Sequence, residues 1–319
     1  MSSNGFTISI AMCTYNGARF LMEQLESFTS QERLPDELVI CDDGSSDDSI
    51  TLIQSFAARA PFPVHLFQND ENLGSTRNFE KAMSLCKGDL IALSDQDDRW
   101  DTTKLRVLAE FMFAHPDVGG VFTDGLLMDE SSKPAGRKIW ESIDFGTTRK
   151  ASVARGDAIR VLLKANIVTG ATLMLRSSEL PLIAPIPQEW VHDGWIAWML
   201  ALRSKLAFVD SPLISYRIYP SQQVGLPPRS IRERVRRARS TGASNYIKEA
   251  RTFEILLEYL ERNPSGKISF LQLREKIDHF YFRARLPENR LRRFFAVVSR
   301  WRWYRDYSQG WKSMMKDLI

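Results

Sequence analysis

The 319-residue chain is 44% apolar and 26% charged, ordinary for a globular protein with core enough for one large domain or two modest ones. Cys13, Cys41 and Cys86 are widely spaced with no Cys-x-x-Cys pair, which argues against a disulfide framework and a zinc site; with no secretory signal pattern at the N-terminus and no apolar run of about 18 residues, a cytoplasmic protein is expected. The net charge of +4 hides a split, because residues 217–319 carry 23 basic and 10 acidic side chains against 20 and 29 in the rest, an acidic body with a basic tail that suits an anionic partner.

Through the first 120 residues, apolar runs alternate with helix-like stretches. Residues 6–12 read as a buried strand, and 19–29 place Phe20, Leu21, Leu25 and Phe28 at helical spacing. A second strand, 37–41, ends at Asp42-Asp43-Gly44-Ser45. Ser46 or Asp47 then caps a helix with Ile50, Ile53 and Phe56 or Ala57 on its inner face. Residues 64–67 give a third strand, 76–86 a third helix and 89–93 a fourth strand; 104–114 is helical and 118–122 strand-like. This alternation predicts an α/β protein with a mostly parallel sheet covered by helices on both faces. Residues 155–220 are less regular, with helices at 157–164 and 191–202 and strands at 172–176, 206–209 and 213–216. From Ser230 onward the pattern is helical, broken near Gly242, Pro264-Ser265-Gly266 and Pro287.

In open α/β sheets, ligands bind beyond the carboxyl ends of the strands. Thr14-Tyr15-Asn16, Asp42-Asp43, residues 69–77 and residues 95–98 each follow a predicted strand, so four loops line one edge. The most telling is Leu-Ser-Asp-Gln-Asp-Asp-Arg-Trp at 93–100, which crowds Asp95, Asp97 and Asp98 into four positions. Such carboxylates repel one another unless solvated in an acidic turn or neutralised by a cation. Mg2+ prefers oxygen ligands and leaves positions open to phosphate oxygens, which points to a nucleoside-diphosphate substrate. Neither Gly-x-Gly-x-x-Gly nor a Walker-type Gly-Lys-Ser/Thr occurs, so dinucleotide and P-loop binding are unsupported.

The ordered set Ile10-Ala11-Met12-Cys13-Thr14-Tyr15-Asn16, Ile40-Cys41-Asp42-Asp43-Gly44-Ser45-Ser46-Asp47, residues 69–78, residues 94–100 and His192-Asp193-Gly194-Trp195 resembles family 2 glycosyltransferases of the GT-A fold. That architecture is Rossmann-like, with a mixed, mostly parallel sheet. The resemblance covers roughly residues 6–217. It implies that Tyr15, flanked by Thr14 and Asn16, lies against a nucleobase, and that Asp42 or Asp43 accepts from the base imide N–H. It further implies Arg77 at the diphosphate, Asp95 and Gln96 beside the sugar and ribose, and Asp97 and Asp98 at a Mg2+ or Mn2+ ion that offsets charge on the departing diphosphate. Which of the three aspartates touches the metal stays open. Asp193, near a helix N-terminus, is implied as the general base of an inverting displacement, the alternative being a helix cap. Trp190, His192 and Trp195 are candidates for acceptor contacts or for core, and Arg217 for a phosphate contact. Cys13 replaces a common proline, and Tyr219 stands where relatives often carry histidine.

The expected organisation is a catalytic domain over 1–220 and a basic helical extension over 221–319. Arg232, Arg234, Arg236, Arg237 and Arg239 suggest a basic helix, while 290–298 and 300–304 mix cations with large rings, suited to an anionic bilayer or to a helical cap. No Gln-x-x-Arg-Trp motif is present, which favours single-sugar transfer. The function expected is metal-dependent transfer from a UDP- or dTDP-linked donor, rhamnose by analogy, to a glycan or lipid-linked hydroxyl in surface-polysaccharide assembly at the inner membrane face. No nucleic-acid partner is expected. The alternatives are a sugar-phosphate nucleotidyltransferase, whose Gly-rich start is absent, and a non-catalytic nucleotide-sugar-binding or membrane scaffold.

Overall fold

A computed structural model describes residues 5–219 and 242–318, so the arginines proposed for a basic helix at 232–239 lie outside the described residues. Two compact units are present. One draws its described residues from 5–156 and 167–219, the other from 157–166 and 242–318.

The first unit is built on nine strands: β1 (Ile8–Thr14), β2 (Glu37–Asp42), β3 (Val64–Gln68), β4 (Leu90–Ser94), β5 (Arg99–Trp100), β6 (Gly120–Met128), β7 (Pro134–Lys138), β8 (Leu173–Arg176) and β9 (Leu206–Arg217). Among the described residues they form one sheet in the order β3-β2-β1-β4-β8-β6-β9-β5, with β7 added beside β6. Strands β1 to β4 run parallel, β8 is antiparallel between β4 and β6, and β9 returns parallel to β6. Every residue of β2 and β4 is buried, as expected of parallel strands covered on both faces. The register pairs Thr14 with Asp42, Asp42 with Gln68 and Met12 with Ser94, so the loops after these four strands emerge at a common edge.

The helices carry the apolar stripes that the sequence predicts. In α1 (Ala18–Thr29), Phe20, Leu21, Leu25 and Phe28 are buried. In α2 (Ser49–Ala57) the inner residues are Ser49, Ile53 and Phe56, while Ile50 and Ala57 lie at the margin. Neither Ser46 nor Asp47 occupies its cap, which falls at Asp48. The Asp47 carboxylate accepts instead from the Ser49 and Ala18 amides, at 3.0 Å each, tying the start of α2 to that of α1. Helices α3 (Ser75–Leu85) and α4 (Lys104–Ala114) follow, with short helices α5 (Ile139–Ser142) and α6 (Thr147–Ala154) after β7. The two strands expected at 206–209 and 213–216 are one, β9, whose register against β6 shifts between Val209 and Pro212.

The second unit contains α7 (Ala158–Leu162), and, numbering past α8 (Leu180–Ile183) and α9 (His192–Arg203) of the first unit, α10 (Ala243–Arg262), α11 (Phe270–Ala284), α12 (Arg290–Ser299), α13 (Trp301–Tyr307) and α14 (Trp311–Leu318). Its interior holds a polar knot as well as apolar packing. The Asp317 carboxylate accepts from Arg283 at 2.6 and 2.7 Å, from Tyr246 at 2.7 Å and from Tyr304 at 2.6 Å. A buried ion pair so fully hydrogen-bonded is costly to break from one side. No described helix is long and apolar enough to cross a membrane.

Candidate active site

Strand β4 delivers the acidic turn into an enclosed setting. Asp98 is wholly buried and Asp97 nearly so, while Asp95 is half-buried. Asp98 Oδ1 accepts from the Arg217 amide at 2.9 Å, whereas its Oδ2 is buried with no hydrogen-bond partner among the described residues. Asp97 Oδ2 accepts from the Tyr219 hydroxyl at 2.7 Å. Burial, with repulsion from Asp97 and Asp193, pushes the Asp95 carboxyl up to about 7, against the opposing pull of Lys104. Burial, with the charges of Asp97 and Asp95, raises Asp98 well above the usual carboxylate range.

Behind the turn lies a buried lysine. Lys104, in the first turn of α4, is fully buried; its Nζ donates to the Ala171 carbonyl at 2.7 Å and stands 3.4 Å from the Trp100 ring centre. Burial drives its pKa well down, and the charges of Asp98 and Asp95 counter that. Ala171 belongs to a single 3-10 turn, Gly170–Thr172, and the Gly170 amide donates to Asp193 Oδ2 at 3.3 Å. Asp193 lies in the first turn of α9, but Val191 occupies the cap position and no side chain caps this helix. Its charge reaches both Asp95 and Tyr216. The acidic turn and Asp193, far apart in sequence, therefore share one electrostatic environment.

The nucleotide-side loops are tightly braced. Gln96 brackets Tyr15, accepting from its amide at 2.8 Å and donating to its carbonyl at 3.1 Å. A side chain at Gly17 would collide with that amide, since its Cβ would stand 2.1 Å from Gln96 Oε1. The Tyr15 ring is left 39% exposed. Asn16, at φ 47°, takes a left-handed conformation that asparagine tolerates, and its Oδ1 accepts from the Ser46 amide at 2.8 Å. Asp42 accepts from the Thr14 and Ser45 hydroxyls and from the Gly44 and Ser45 amides, which fills its four acceptor sites. Asp43 accepts from Asn69 Nδ2 and the Leu73 and Gly74 amides, leaving one site. Arg77 is exposed, and the Gln188 carboxamide, with its oxygen toward the guanidinium, accepts from Nε and Nη2 at 2.6 and 3.0 Å. Thr76 Oγ1 donates to the Trp190 carbonyl at 2.9 Å, joining this loop to the approach to α9.

Arg217 takes a place other than the one first suggested, while His192, Trp190 and Trp195 take the core places that were one of their two readings. Arg217, a candidate for phosphate contact, is fully buried; it donates to the Asp97 and Asp129 carbonyls and Ser132 Oγ and pairs with Glu23 of α1. Its guanidinium clamps α1, the acidic turn and the β6–β7 turn. His192 is 5% exposed, stacked on Phe79 at 4.0 Å, with neither ring nitrogen hydrogen-bonded among the described residues. Burial holds it neutral, down to about 3, so it fills space. Trp195 is 1% exposed with Nε1 donating to the Ile183 carbonyl at 2.7 Å, and Trp190 packs against it; both are core aromatics rather than a wall for a sugar. Lys104 and Glu23 were not expected at the site. A signal existed for Lys104, because it falls on the 104–108–112 stripe with Leu108 and Met112, where a charge demands a reason. Glu23 carried none.

The residues fit a hard divalent cation. An orphaned buried carboxylate oxygen and mutual repulsion among three aspartates are what such an ion relieves. No group of three or more His, Cys, Asp or Glu that could by itself hold a metal ion converges among the described residues.

Residues 9–162 match the family model described as Glycosyl transferase family 2. An uncharacterised glycosyltransferase of a Nostoc species is 29% identical over 219 residues, covering 66% of this chain and 65% of its own; the chain thus spans just under two thirds of that relative's length. Among solved structures, residues 1–349 of Staphylococcus aureus TarS in complex with UDP-GlcNAc have a TM-score of 0.56 at 16% identity, covering 96% of this chain and 92% of that fragment. A Pyrobaculum calidifontis mannosyltransferase in complex with GDP-Man and Mn2+ has 0.57 at 15% identity, covering 93% and 75%.

Proposed function

We propose that the chain, which has the GT-A fold and matches glycosyl transferase family 2 through residues 9–162, is a member of that family that moves one sugar from a nucleoside-diphosphate donor to an acceptor hydroxyl, inverting the anomeric carbon. The observation that carries this reading is the 3-10 turn Gly170–Thr172, whose Gly170 amide donates to Asp193 and whose Ala171 carbonyl accepts from Lys104 behind the acidic turn.

In this reading Tyr15 lies flat against the base, as an exposed ring on a braced loop can. Asp43 rather than Asp42 takes the imide N–H of uracil or thymine, because Asp43 alone keeps an acceptor site. Arg77 brings its planar fork to the diphosphate, exchanging the Gln188 contact for a charged one. Asp95 orients the ribose and sugar. Asp97 and Asp98 would hold Mg2+ or Mn2+; when bound, the ion supplies Lewis-acid stabilisation to the leaving diphosphate. Asp193 removes the proton from the attacking hydroxyl, and the Gly170 amide steadies the carboxylate for that task. Mn2+ and GDP-Man in the mannosyltransferase and UDP-GlcNAc in TarS support a nucleotide sugar with a cation. The acceptor is taken to be a glycan or a lipid-linked sugar in surface-polysaccharide assembly, and dTDP-rhamnose and UDP-sugars are the first donors to try.

The test is incubation of the full chain with UDP-, dTDP- and GDP-sugars, Mn2+ and an acceptor panel. Nucleoside diphosphate release that depends on acceptor is the expected result. Pyrophosphate release from a sugar phosphate and a nucleoside triphosphate would point to nucleotidyl transfer instead. Donor binding without turnover would favour a scaffold.

A further inference from the structure

Helix α12 is turned inside out. Leu291, Phe294, Phe295 and Val298 fall at i, i+3, i+4 and i+7, a single apolar stripe that an amphipathic helix ordinarily buries. Here those residues are 67%, 47%, 64% and 40% exposed, and the helix buries Val297 instead. The helix is firmly built at its start: Asn289 Oδ1 accepts from the Leu291 and Arg292 amides, both at 3.1 Å, and Arg293 Nε donates to the Pro287 carbonyl at 2.7 Å. The exposed stripe is thus held in place rather than left by fraying. In the same unit, Trp301 of α13 and Trp311 and Met315 of α14 are also 47%, 70% and 51% exposed.

We propose that this face docks on an anionic phospholipid bilayer. Charge decides the occupant. Residues 290–318 hold eight basic and two acidic side chains; of the two acids, Asp317 is sealed against Arg283 and Asp306 is paired with Arg305. Apolar rings set among an excess of basic side chains match a surface with acyl chains below and phosphates above, where arginine and tryptophan reach the headgroup layer. An open depression of about 450 Å³, lined by Ser299, Arg300, Trp301, Arg302 and Trp303, offers two guanidinium groups beside two indoles. This deepens the reading of a lipid-linked acceptor, yet its test needs neither donor nor acceptor, so the two fail separately.

The experiment is co-sedimentation of the full chain with phosphatidylcholine vesicles, with and without phosphatidylglycerol. It is repeated for the variant Leu291→Gln, Phe294→Gln, Phe295→Gln, Val298→Gln, whose helix content is checked by circular dichroism. The expected result is partition onto the anionic vesicles, falling at least about tenfold on pure phosphatidylcholine, in high salt, and in the variant. The variant should keep wild-type turnover of soluble substrates. Equal partition of wild type and variant, or no partition at low salt, overturns the proposal. So does a lipid-free dimer, by sedimentation velocity, that the four substitutions abolish, since the face would then belong to a second copy.

Discussion

Arg217 shows how a residue can be in the right region for the wrong reason. As a permanent cation near a pyrophosphate site it suggested phosphate contact, but its guanidinium is enclosed by two carbonyls, Ser132 and Glu23. Arg217→Met strips the Asp97 and Asp129 carbonyls and Ser132 of a buried donor, while Glu23 keeps Arg99 as a partner, and we expect a loss of about 1–3 kcal/mol in urea unfolding. Weakened nucleotide binding with unchanged stability would contradict this. Tyr219 makes a second test at the same turn. Its hydroxyl occupies Asp97 Oδ2, a lone pair that a cation would otherwise use. Tyr219→His exchanges that donor for a metal-binding ring, and we expect Mn2+ affinity, read by electron paramagnetic resonance titration, to rise by about tenfold. Unchanged affinity would remove Asp97 from the ion's shell. The placement of Asp95, Asp97 and Asp98 at a strand end and of Asp193 at a helix start was legible from the apolar runs beside them. The saturation of Asp42, the one site left on Asp43 and the Lys104–Ala171–Asp193 linkage were not, since they depend on loops that only the fold brings together.

Among elements, legibility followed apolar pattern. Strands β1 to β4 and helices α1 to α4 were readable within a residue or two, because their burial gives continuous or periodic apolar runs. Strand β7 escaped, since Pro-Ala-Gly-Arg-Lys is largely exposed and has no apolar alternation. Strand β5 is two residues long, and β9 was read as two because Asp210-Ser211-Pro212 interrupts it. Helix α11 carries a prediction of its own. Burial lowers Lys276 from 10.5 to about 7 and, with the charges of Arg283, Lys276 and Arg300, lowers His279 from 6.5 to about 2. Glu249 opposes the shift at Lys276. In both cases the unfolded chain binds the proton more readily, so acidification favours unfolding. Stability falls between about pH 10.5 and 7 through Lys276, and again below about 6.5 through His279. Hydrogen-exchange protection of α11, corrected for intrinsic rate, should therefore decline from pH 9 to pH 5. Lys276→Met should flatten the upper part and His279→Gln the lower. Protection that rises on acidification would refute the assignment.

At the scale of the whole molecule, the charge split in the sequence corresponds to two chemistries. The acidic body gathers carboxylates at the sheet edge, and the basic tail sets arginines around outward-facing rings. The likeness to glycosyl transferase family 2 through residues 9–162 bears on the first and is silent on the second, whose stripe was legible as amphipathic but not as exposed. Everything catalytic in this account depends on Asp193 acting on the acceptor while the acidic turn manages the leaving group. The most direct measurement is acceptor-dependent release of nucleoside diphosphate by wild type and Asp193→Asn, at saturating donor and Mn2+. The expected result is a fall of about 10²–10⁴ in rate, with nucleotide-induced thermal stabilisation unchanged. Full turnover by Asp193→Asn would contradict it.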